Sequence, residues 1–421
     1  MRTTSAPMPD REIVLAEQSS GIVPAGRLTR AAVSALTGVP GDLFRVRALA
    51  CDDEIRVGSV AGCVQLDNVV VRVAPSLFPD GAAVLAWLAY AAGAPVEIDQ
   101  HRSWQVGGDS LPDLVISALV EECERLSASG LRLDYQREQV VDTVLRGRLD
   151  LRAQLTRRYG QVDRLHLDRF GRRDDIWENL VCRVALEVAG RVGSSAALRT
   201  AARGLAARFP TATVDRVWAR RRLRTARYTR LNARYRAAHV WAGLLLDDGG
   251  IDDLVIDGPW QAGNLLVRTD RIWERAVARA CRDAGEGRAA AAIRILGDEG
   301  SLRTLRPDAG IRRGERRVPV DAKYKSYGRR KVSNSDVHQL LTYASACAAP
   351  GEDPTAVLVH PVVGPSTRRA VDVRAGRRLV GSIAVIGLDT RLPPAEAARW
   401  LGASVVDQHR EVAADPSAWS R

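Results

Sequence analysis

Residues 307–325 have the sequence PDAGIRRGERRVPVDAKYK, and this stretch decides the fold of the C-terminal part of the chain. Thirteen positions separate Asp308 from Asp321, and the glycines and arginines between them favour a hairpin. Because side chains at positions i and i+2 of a strand share a face, Asp321 and Lys323 point the same way, with Lys325 next in line. The stretch therefore predicts two acids and a lysine at one edge of a sheet.

This trio indicates a metal site. Magnesium prefers few carboxylates and retained waters, so the expected ligands are Asp308, Asp321 and the carbonyl of Ala322, with Mn²⁺ as a substitute for Mg²⁺. A divalent ion there would polarise a phosphate oxygen and acidify a bound water. Lys323 would orient that water and offset the charge that builds up on the phosphate.

The lysines of the chain support this location. Of 62 basic residues only Lys323, Lys325 and Lys331 are lysine. An ammonium is a compact point charge, whereas the arginine used elsewhere is planar and forked. None of the three follows a glycine, which excludes a P-loop, and no HExxH, GxSxG or complete GxGxxG motif occurs. We therefore expect no nucleotide bound by this chain, so any nucleotide-driven work must come from a partner.

The residues around the trio predict an α/β domain with a mixed central sheet over 249–421. Asp270 is expected to cap a helix over 272–281, which carries Glu274. Strands are expected over 293–296, 302–305 and 318–324, then a helix that Ser335 caps and that runs to residue 346, then strands over 356–360 and 383–388. Gln339 and Tyr343 lie four positions apart and so share a face of the second helix.

The rest of the chain predicts two further regions, as 421 residues with 46% hydrophobic content suggest. Strands over 55–60 and 69–73 and a helix over 82–92 predict an α+β N-terminal domain over 1–105. Residues 106–248 predict a mostly helical middle region, extended over 131–155, with one long helix over 218–241. The apolar stretch 82–94 is shorter than the roughly 20 residues that span a bilayer.

Positive charge is concentrated in one segment. The net charge is +12, and residues 203–236 hold eleven arginines against one acid, Asp215. We expect contact with phosphates or with an acidic partner, the alternative being a solvated helix with nothing bound. The six cysteines form no CxxC pair and no secretory signal is evident, which favours reduced thiols and a cytoplasmic protein. The candidate DNA contacts are Lys325, Arg220, Arg221, Arg222, Arg224 and Arg227.

The order helix, strand, hairpin, helix with these residues resembles the PD-(D/E)xK nuclease superfamily. The segments PDAGIRR, VPVDAKYKS and SDVHQLLTYA are similar to the nuclease domain of the McrC proteins. Further upstream, RIWERAV, GRLDL, NARYRAAHVWAGLLL and VVVRVAPSL resemble other parts of that family. The resemblance extends over most of the chain and is specific from about residue 270 to residue 345.

The resemblance implies the nuclease subunit of a modification-dependent (type IV) McrBC restriction system. Its partner would be McrB, a AAA+ GTPase that recognises modified double-stranded DNA and whose hydrolysis McrC stimulates. The resemblance makes Asp308 and Asp321 the metal-binding acids and Lys323 the catalytic lysine. The helix residues of the site would be Glu274, Gln339 and Tyr343. Where the family often has Pro-Lys after an N-terminal strand, this chain has Pro75-Ser76.

The sequence thus predicts a magnesium-dependent DNA endonuclease subunit that acts with an NTPase. Two alternatives stay open: a standalone nuclease of the same fold, and a non-catalytic adaptor that binds DNA and activates an NTPase. The intact acids and Lys323 weigh against the adaptor, which does not need them. The targeted base modification and the stoichiometry with the partner do not follow from the sequence.

Overall fold

The structure is a computed structural model. It describes residues 12–24, 26–39, 41–66, 69–93, 111–193, 195–211, 213–246, 265–284, 287–288, 293–297, 300–313, 316–327 and 331–406. The chain forms two compact units, residues 1–115 with 247–421 and residues 116–246. The predicted domain boundaries near 105 and 248 lie outside the described residues and stay predictions. In the described part of the chain, no helix is long and apolar enough to cross a membrane.

Short strands form the N-terminal part of the first unit. In chain order the elements are β1 (Glu12–Ala16), β2 (Ser20–Pro24), α1 (Arg30–Thr37), β3 (Phe44–Ala48), β4 (Asp52–Val57), β5 (Val60–Gln65), β6 (Val70–Ala74) and α2 (Gly81–Ala91). Strand β6 pairs with β1 in parallel and with β5 in antiparallel fashion, while β2, β4 and β3 form an antiparallel sheet. Alternate strand residues such as Ile55 and Val57 are buried in one apolar core. The strand predicted over 55–60 is in fact two strands, because the chain turns at Gly58 and Ser59.

The second unit is mostly helical, as predicted. Its elements are most of α3 (Leu111–Ala128), β7 (Asp134–Asp142), β8 (Arg148–Leu149), α4 (Leu151–Arg157), β9 (Leu165–Arg173), α5 (Trp177–Val192), α6 (Ala196–Ala206), α7 (Arg216–Arg224), a 3-10 turn (Ala233–Tyr235) and α8 (Arg236–Leu246). Helices α6, α7 and α8 contact α5, which is buried along most of its length. The prediction of extended chain over 131–155 holds for β7 and β8 but is wrong for α4. Asp150 caps α4 by accepting the amide of Ala153 at 2.9 Å.

The long helix predicted over 218–241 is wrong, because two helices with a loop between them occupy this segment. The side chain of Asn232 closes the loop. Its Oδ1 accepts the amide of Thr229 at 2.6 Å, and its Nδ2 donates to the carbonyl of Arg227 at 3.1 Å. An asparagine side chain offers the backbone an alternative to the helical bond, and here that alternative interrupts the helix.

The C-terminal part of the first unit is the predicted α/β arrangement. Its elements are β10 (Leu265–Arg268), α9 (Thr269–Asp283), β11 (Gly287–Arg288), β12 (Ile293–Gly297), β13 (Gly300–Leu305), β14 (Ala309–Arg313), β15 (Arg316–Ala322), α10 (Asn334–Cys347), β16 (Thr355–Val362), β17 (Thr367–Ala375), β18 (Arg378–Asp389) and α11 (Pro394–Val406). Six strands form one sheet in the order β11-β14-β15-β16-β18-β17. The pairs β15–β16 and β16–β18 are parallel, whereas β11–β14, β14–β15 and β17–β18 are antiparallel, so the predicted mixed sheet is confirmed.

Two helix starts differ from the prediction. Helix α9 begins at Thr269, and Asp270 lies in its first turn, where it forms an ion pair of 2.6 Å with Arg268. Helix α10 begins two residues earlier than predicted, because Ser333 is the capping residue and accepts the amide of Asp336 at 3.2 Å. Both helices still carry the predicted site residues.

Buried tryptophans attach the two flanking helices to the central sheet. Trp273 of α9 donates its indole N–H to the carbonyl of Val359 at 3.1 Å, and Trp87 of α2 donates to the carbonyl of Thr390 at 3.1 Å. The two rings lie 5.4 Å apart. A buried indole keeps its polar edge satisfied in this way, and the contacts fix α9 against the strand next to β15.

Candidate active site

The hairpin of β14 and β15 brings the two predicted acids together. Asp308 precedes β14 and Asp321 is near the end of β15, while the register pairs Ala309 with Val320. The amide of Ala322 donates to Asp308 Oδ2 at 2.8 Å. Asp321 is only 2% exposed because β15 has a strand on each side. The antiparallel register thus places the two carboxyl groups at the same end of the hairpin, as the sequence predicted.

Burial destabilises the negatively charged forms of both aspartates. Burial, followed by the negative charge of Asp321, raises the pKa of Asp308 to about 7. The pKa of Asp321 is raised as well, chiefly by burial, although Lys323 opposes the shift. Its Oδ2 lies 2.8 Å from the Lys323 ammonium but accepts no hydrogen bond within the described residues. Two buried carboxyl groups that destabilise each other, one with an oxygen that accepts no hydrogen bond, fit a divalent cation.

Lys323 is held in its charged form beside these acids. Its Nζ lies 2.8 Å from Asp321 Oδ2 and donates to Gln339 Oε1 at 3.1 Å. Burial lowers the pKa of Lys323, but the carboxylate of Asp321 together with the charges of Asp308 and Asp336 outweighs burial, and the net shift is upward. The backbone amide of Lys323 donates to the carbonyl of Val359 at 2.9 Å, which continues the pairing beyond the end of β15. The backbone and the ammonium are therefore both fixed.

Gln339 and Tyr343 support the lysine from one face of α10, as predicted. Gln339 Nε2 donates to the Tyr343 hydroxyl at 2.7 Å, and that hydroxyl donates to the carbonyl of Arg306 at 3.2 Å. The bonds run from the residue before Pro307, through the helix, to the ammonium of Lys323. This arrangement orients the Gln339 amide so that its oxygen faces Lys323.

Glu274 lies near the acids without joining them. It pairs with Arg271 on the same helix at 2.8 Å and is about one third exposed, at 32% of its side chain. Its charge contributes to the raised pKa of Asp308, after burial and Asp321. The charge of Glu274 therefore affects Asp308, but the Glu274 carboxylate itself is paired with Arg271.

Lys325 leaves the face that it was predicted to share with Lys323. Its amide donates to the Lys323 carbonyl at 2.9 Å, which turns the chain, and its side chain is 53% exposed. The ammonium lies 3.1 Å from Asp336, a buried acid that sequence reasoning missed. Asp336 also accepts hydrogen bonds from Ser333 and Tyr327, and its charge helps to raise the pKa of Asp321. The pattern Ser333-x-x-Asp336, an acidic form of the capping box, is the signal that identifies it.

The candidate arginines belong to the second unit. Arg220, Arg221, Arg222 and Arg224 lie on α7, and Arg227 follows in the loop. Arg221, Arg222, Arg224 and Arg227 are all exposed, and Arg222 also stacks over the ring of Trp177 at 5.4 Å. Arg224 is engaged in another interaction, so Arg221 and Arg227 are the pair that best fits contact with phosphates.

A second buried acid, Glu17, was not predicted at all. It is 2% exposed, and it accepts hydrogen bonds from the amide of Ser76 at 3.1 Å, the hydroxyl of Tyr324 at 2.8 Å, and Thr269. Burial raises its pKa to about 7. The neighbouring Gln18 donates its side-chain amide to the Tyr324 carbonyl at 2.9 Å. The turn after β1 thus holds the residue that follows Lys323.

Residues 55–361 match the family described as McrBC 5-methylcytosine restriction system component. The chain belongs to the McrBC family. One solved structure with a similar fold is a chain of the refined half-complex from the tetradecameric assembly of Thermococcus gammatolerans McrB AAA+ hexamers with bound McrC. The two chains are 16% identical, the TM-score is 0.64, and the match covers 94% of this chain and 100% of that chain.

The cryo-EM structure of the Thermococcus gammatolerans McrBC complex is similar at 16% identity and a TM-score of 0.47, over 65% of this chain and 88% of that chain. No curated protein matches the sequence. The resemblance drawn from the sequence is thus confirmed at the level of the McrBC family and of its fold.

Proposed function

We propose that this McrBC-family chain is the nuclease subunit of a restriction system and hydrolyses phosphodiester bonds in modified double-stranded DNA. The observation that carries the proposal is the group Asp308, Asp321 and Lys323 on one hairpin. Their order and strand placement fit the PD-(D/E)xK arrangement. Membership of a family of restriction-system components supports the same conclusion.

Asp308, Asp321 and the carbonyl of Ala322 would hold a magnesium ion. Among the described residues no cluster of three or more histidine, cysteine, aspartate or glutamate side chains could hold a metal. A pair of acids with a backbone carbonyl suits magnesium, which keeps several waters. When bound, the ion would stabilise negative charge on the phosphate and lower the pKa of a water.

The rest of the chemistry belongs to the chain. The Lys323 ammonium has three N–H groups, of which one donates to Gln339, and it is ion-paired with Asp321. Another N–H is available to a phosphate oxygen or to the attacking water. Because its position is fixed before substrate binds, it stabilises developing charge without a reorganisation cost. Gln339 and Tyr343 position this group and do not contact the substrate.

We further propose that the chain works with a McrB-like AAA+ GTPase and stimulates its hydrolysis. The similar solved chain comes from an assembly of McrB hexamers with McrC. This chain has no P-loop of its own, so nucleotide hydrolysis would be the partner's contribution.

The decisive experiment compares Asp321→Ala and Lys323→Ala with wild type in a cleavage assay with partner, GTP and Mg²⁺. We expect each variant to lose at least about 100-fold in rate, because each removes a group that stabilises the transition state. Asp353→Ala, the same change at an exposed turn, is the control and keeps wild-type activity. Circular dichroism checks that the variants are folded, and EDTA is expected to abolish wild-type cleavage. Wild-type rates in Asp321→Ala would exclude this active site.

A further inference from the structure

A cavity of about 470 Å³ lies in the first unit, next to the candidate active site. One wall comes from the N-terminal part of the chain and includes Gln18, Arg45 and Arg56. The other includes Tyr324 and Lys325, which follow directly on Lys323. The cavity therefore joins the strand that carries the active site to a sheet that lies more than 260 residues away in the sequence.

The cavity is positively charged. Arg45, Arg56 and Lys325 line it, against the single acid Asp42. Asp42 is engaged by Arg45 at 3.0 Å, and Lys325 is 3.1 Å from Asp336. The guanidinium of Arg56 has no ion-pair partner within the described residues. An exposed arginine that faces a cavity with excess positive charge is suited to binding an anion. Its planar, forked guanidinium matches the oxygens of a phosphate.

The backbone around the cavity is held in an unusual conformation. Across the described ranges, Gln18 (φ 55°) and Asp42 (φ 54°) are the two non-glycine residues with a left-handed backbone, and both line this cavity. Such conformations are disfavoured for side-chain-bearing residues and concentrate at functional sites. Gln18 also donates to the hydroxyl of Ser59 at 3.0 Å and to the carbonyl of Tyr324 at 2.9 Å. The wall of the cavity is thus tied directly to the residue after Lys323.

We propose that this cavity binds a backbone phosphate of the DNA, close to the phosphate that is cut. The proposal rests on the nuclease function proposed above. Two Cα–Cα steps of about 3.8 Å keep Lys325 within about 7.6 Å of Lys323. Each DNA strand presents a phosphate for every 3.4 Å or so of helix axis, so DNA on Lys323 places neighbouring phosphates within reach of Lys325 and the cavity. This continuity favours DNA over an acidic protein surface.

The test measures binding of duplex DNA to the full-length chain with Ca²⁺ in place of Mg²⁺, over a range of salt concentrations. Arg56→Gln removes the unpaired cation and should weaken binding about tenfold, the expected value of one charged hydrogen bond. It should also reduce the slope of log affinity against log salt by about 0.9. Arg47→Gln is the matched control, because Arg47 is exposed on the same sheet but does not line the cavity. We expect it to bind DNA like wild type.

Several outcomes would overturn the proposal. Unchanged affinity and slope in Arg56→Gln would do so, and so would an equal loss in Arg47→Gln. If Arg56→Gln binds DNA normally but loses stimulation of the GTPase, the cavity faces the partner instead. If it loses binding of GTP to the chain alone while DNA binding is unchanged, the phosphate is that of a nucleotide. In each case the nuclease proposal survives if wild type still cuts and Asp321→Ala does not, so the two failures are distinguishable.

Discussion

We expect the role of Lys323 in cleavage to depend on the small size of its ammonium group as well as on its charge. Its ammonium fits between Asp321 and Gln339, at 2.8 and 3.1 Å. We expect Lys323→Arg to lose cleavage almost as completely as Lys323→Ala, because a forked guanidinium cannot occupy the same point. The measurement is the single-turnover cleavage rate, with DNA affinity as the control, which should be unchanged or slightly higher. Cleavage by Lys323→Arg within tenfold of wild type would mean that charge alone is required.

Glu17 predicts a pH dependence of stability. Its pKa in the folded chain is raised from 4.5 to about 7, so between these values the folded state holds a proton that the unfolded state has lost. The stability contribution of this group is therefore complete below pH 4.5 and is lost as the pH rises to about 7. We expect Glu17→Gln, which is always neutral, to be the more stable protein at pH 8, by on the order of 2 to 3 kcal/mol.

Chemical denaturation of both proteins at pH 5 and pH 8, without metal, measures this difference. Asp308 titrates in the same window in both, so only the difference between variant and wild type reports on Glu17. Glu12→Gln, which removes a surface ion pair with Arg72, is the control and should change stability by at most about 1 kcal/mol at either pH. A Glu17→Gln protein that is equally destabilised at both values would show that the carboxyl is charged when folded.

Whether a residue of the candidate site could be predicted from the sequence depends on how far away in the sequence its partners lie. Asp308, Asp321 and Lys323 were predictable, because a hairpin and a period of two bring them together. Gln339 and Tyr343 were predictable from their spacing on a helix. The role of Glu17 was not predictable, since Glu17 accepts a hydrogen bond from the hydroxyl of Tyr324, a residue 307 positions away. No local pattern carries such a contact.

At the scale of elements, strands and helices with a clear apolar period were predicted well. Strand β16 (predicted over 356–360) and helix α2 (predicted over 82–92) differ from the structure by a few residues at most. The prediction of one long helix in the arginine-rich segment was wrong, because the helical period was taken as continuous. The interruption depends on side-chain bonds of Asn232, which a hydrophobic period does not detect.

The structure of α7 and of the loop after it indicates which arginines are best placed to contact phosphates. Arg221, Arg222 and Arg227 are exposed, and Arg222 also lies over the ring of Trp177. If Arg221 and Arg227 contact phosphates, Arg221→Gln with Arg227→Gln should lower the salt slope of DNA binding by about 1.8 and leave the cut positions unchanged. Arg222→Gln is the control, and we expect it to lose stability rather than DNA affinity.

The same double variant tests the alternatives for this segment. Normal DNA binding with a loss of GTPase stimulation would indicate docking on an acidic face of the partner. If neither quantity changes, the segment is a solvated surface, and its charge has no ligand.

For the whole molecule, the first unit combines the two ends of the chain. Strand β10 (Leu265–Arg268) pairs with β5 (Val60–Gln65) across about 200 residues. Thr269, the next residue, contacts Glu17. The sequence predicted an α+β region and an α/β region correctly as types of structure. It did not predict that they share a sheet, because long-range pairing leaves no period in the sequence.

This shared construction gives the N-terminal region a direct connection to the candidate active site, and it bears on whether the proposed nuclease acts alone. A subunit controlled by a GTPase should cut modified duplex DNA only when the McrB-like partner, GTP and Mg²⁺ are all present. We expect the chain alone to hydrolyse no GTP, since it lacks a P-loop. We also expect Asp321→Ala to stimulate GTP hydrolysis as wild type does, because the acid belongs to the cleavage site.

Cleavage and GTP hydrolysis measured in the same reactions separate the remaining candidates. Cutting by the chain alone, at the rate seen with partner and GTP, would identify a standalone nuclease. Stimulated GTP hydrolysis without any cutting under all metal conditions would identify a non-catalytic activator. Loss of both activities in Asp321→Ala, with the protein folded, would mean that the acid at the end of β15 (Arg316–Ala322) also transmits the partner's signal.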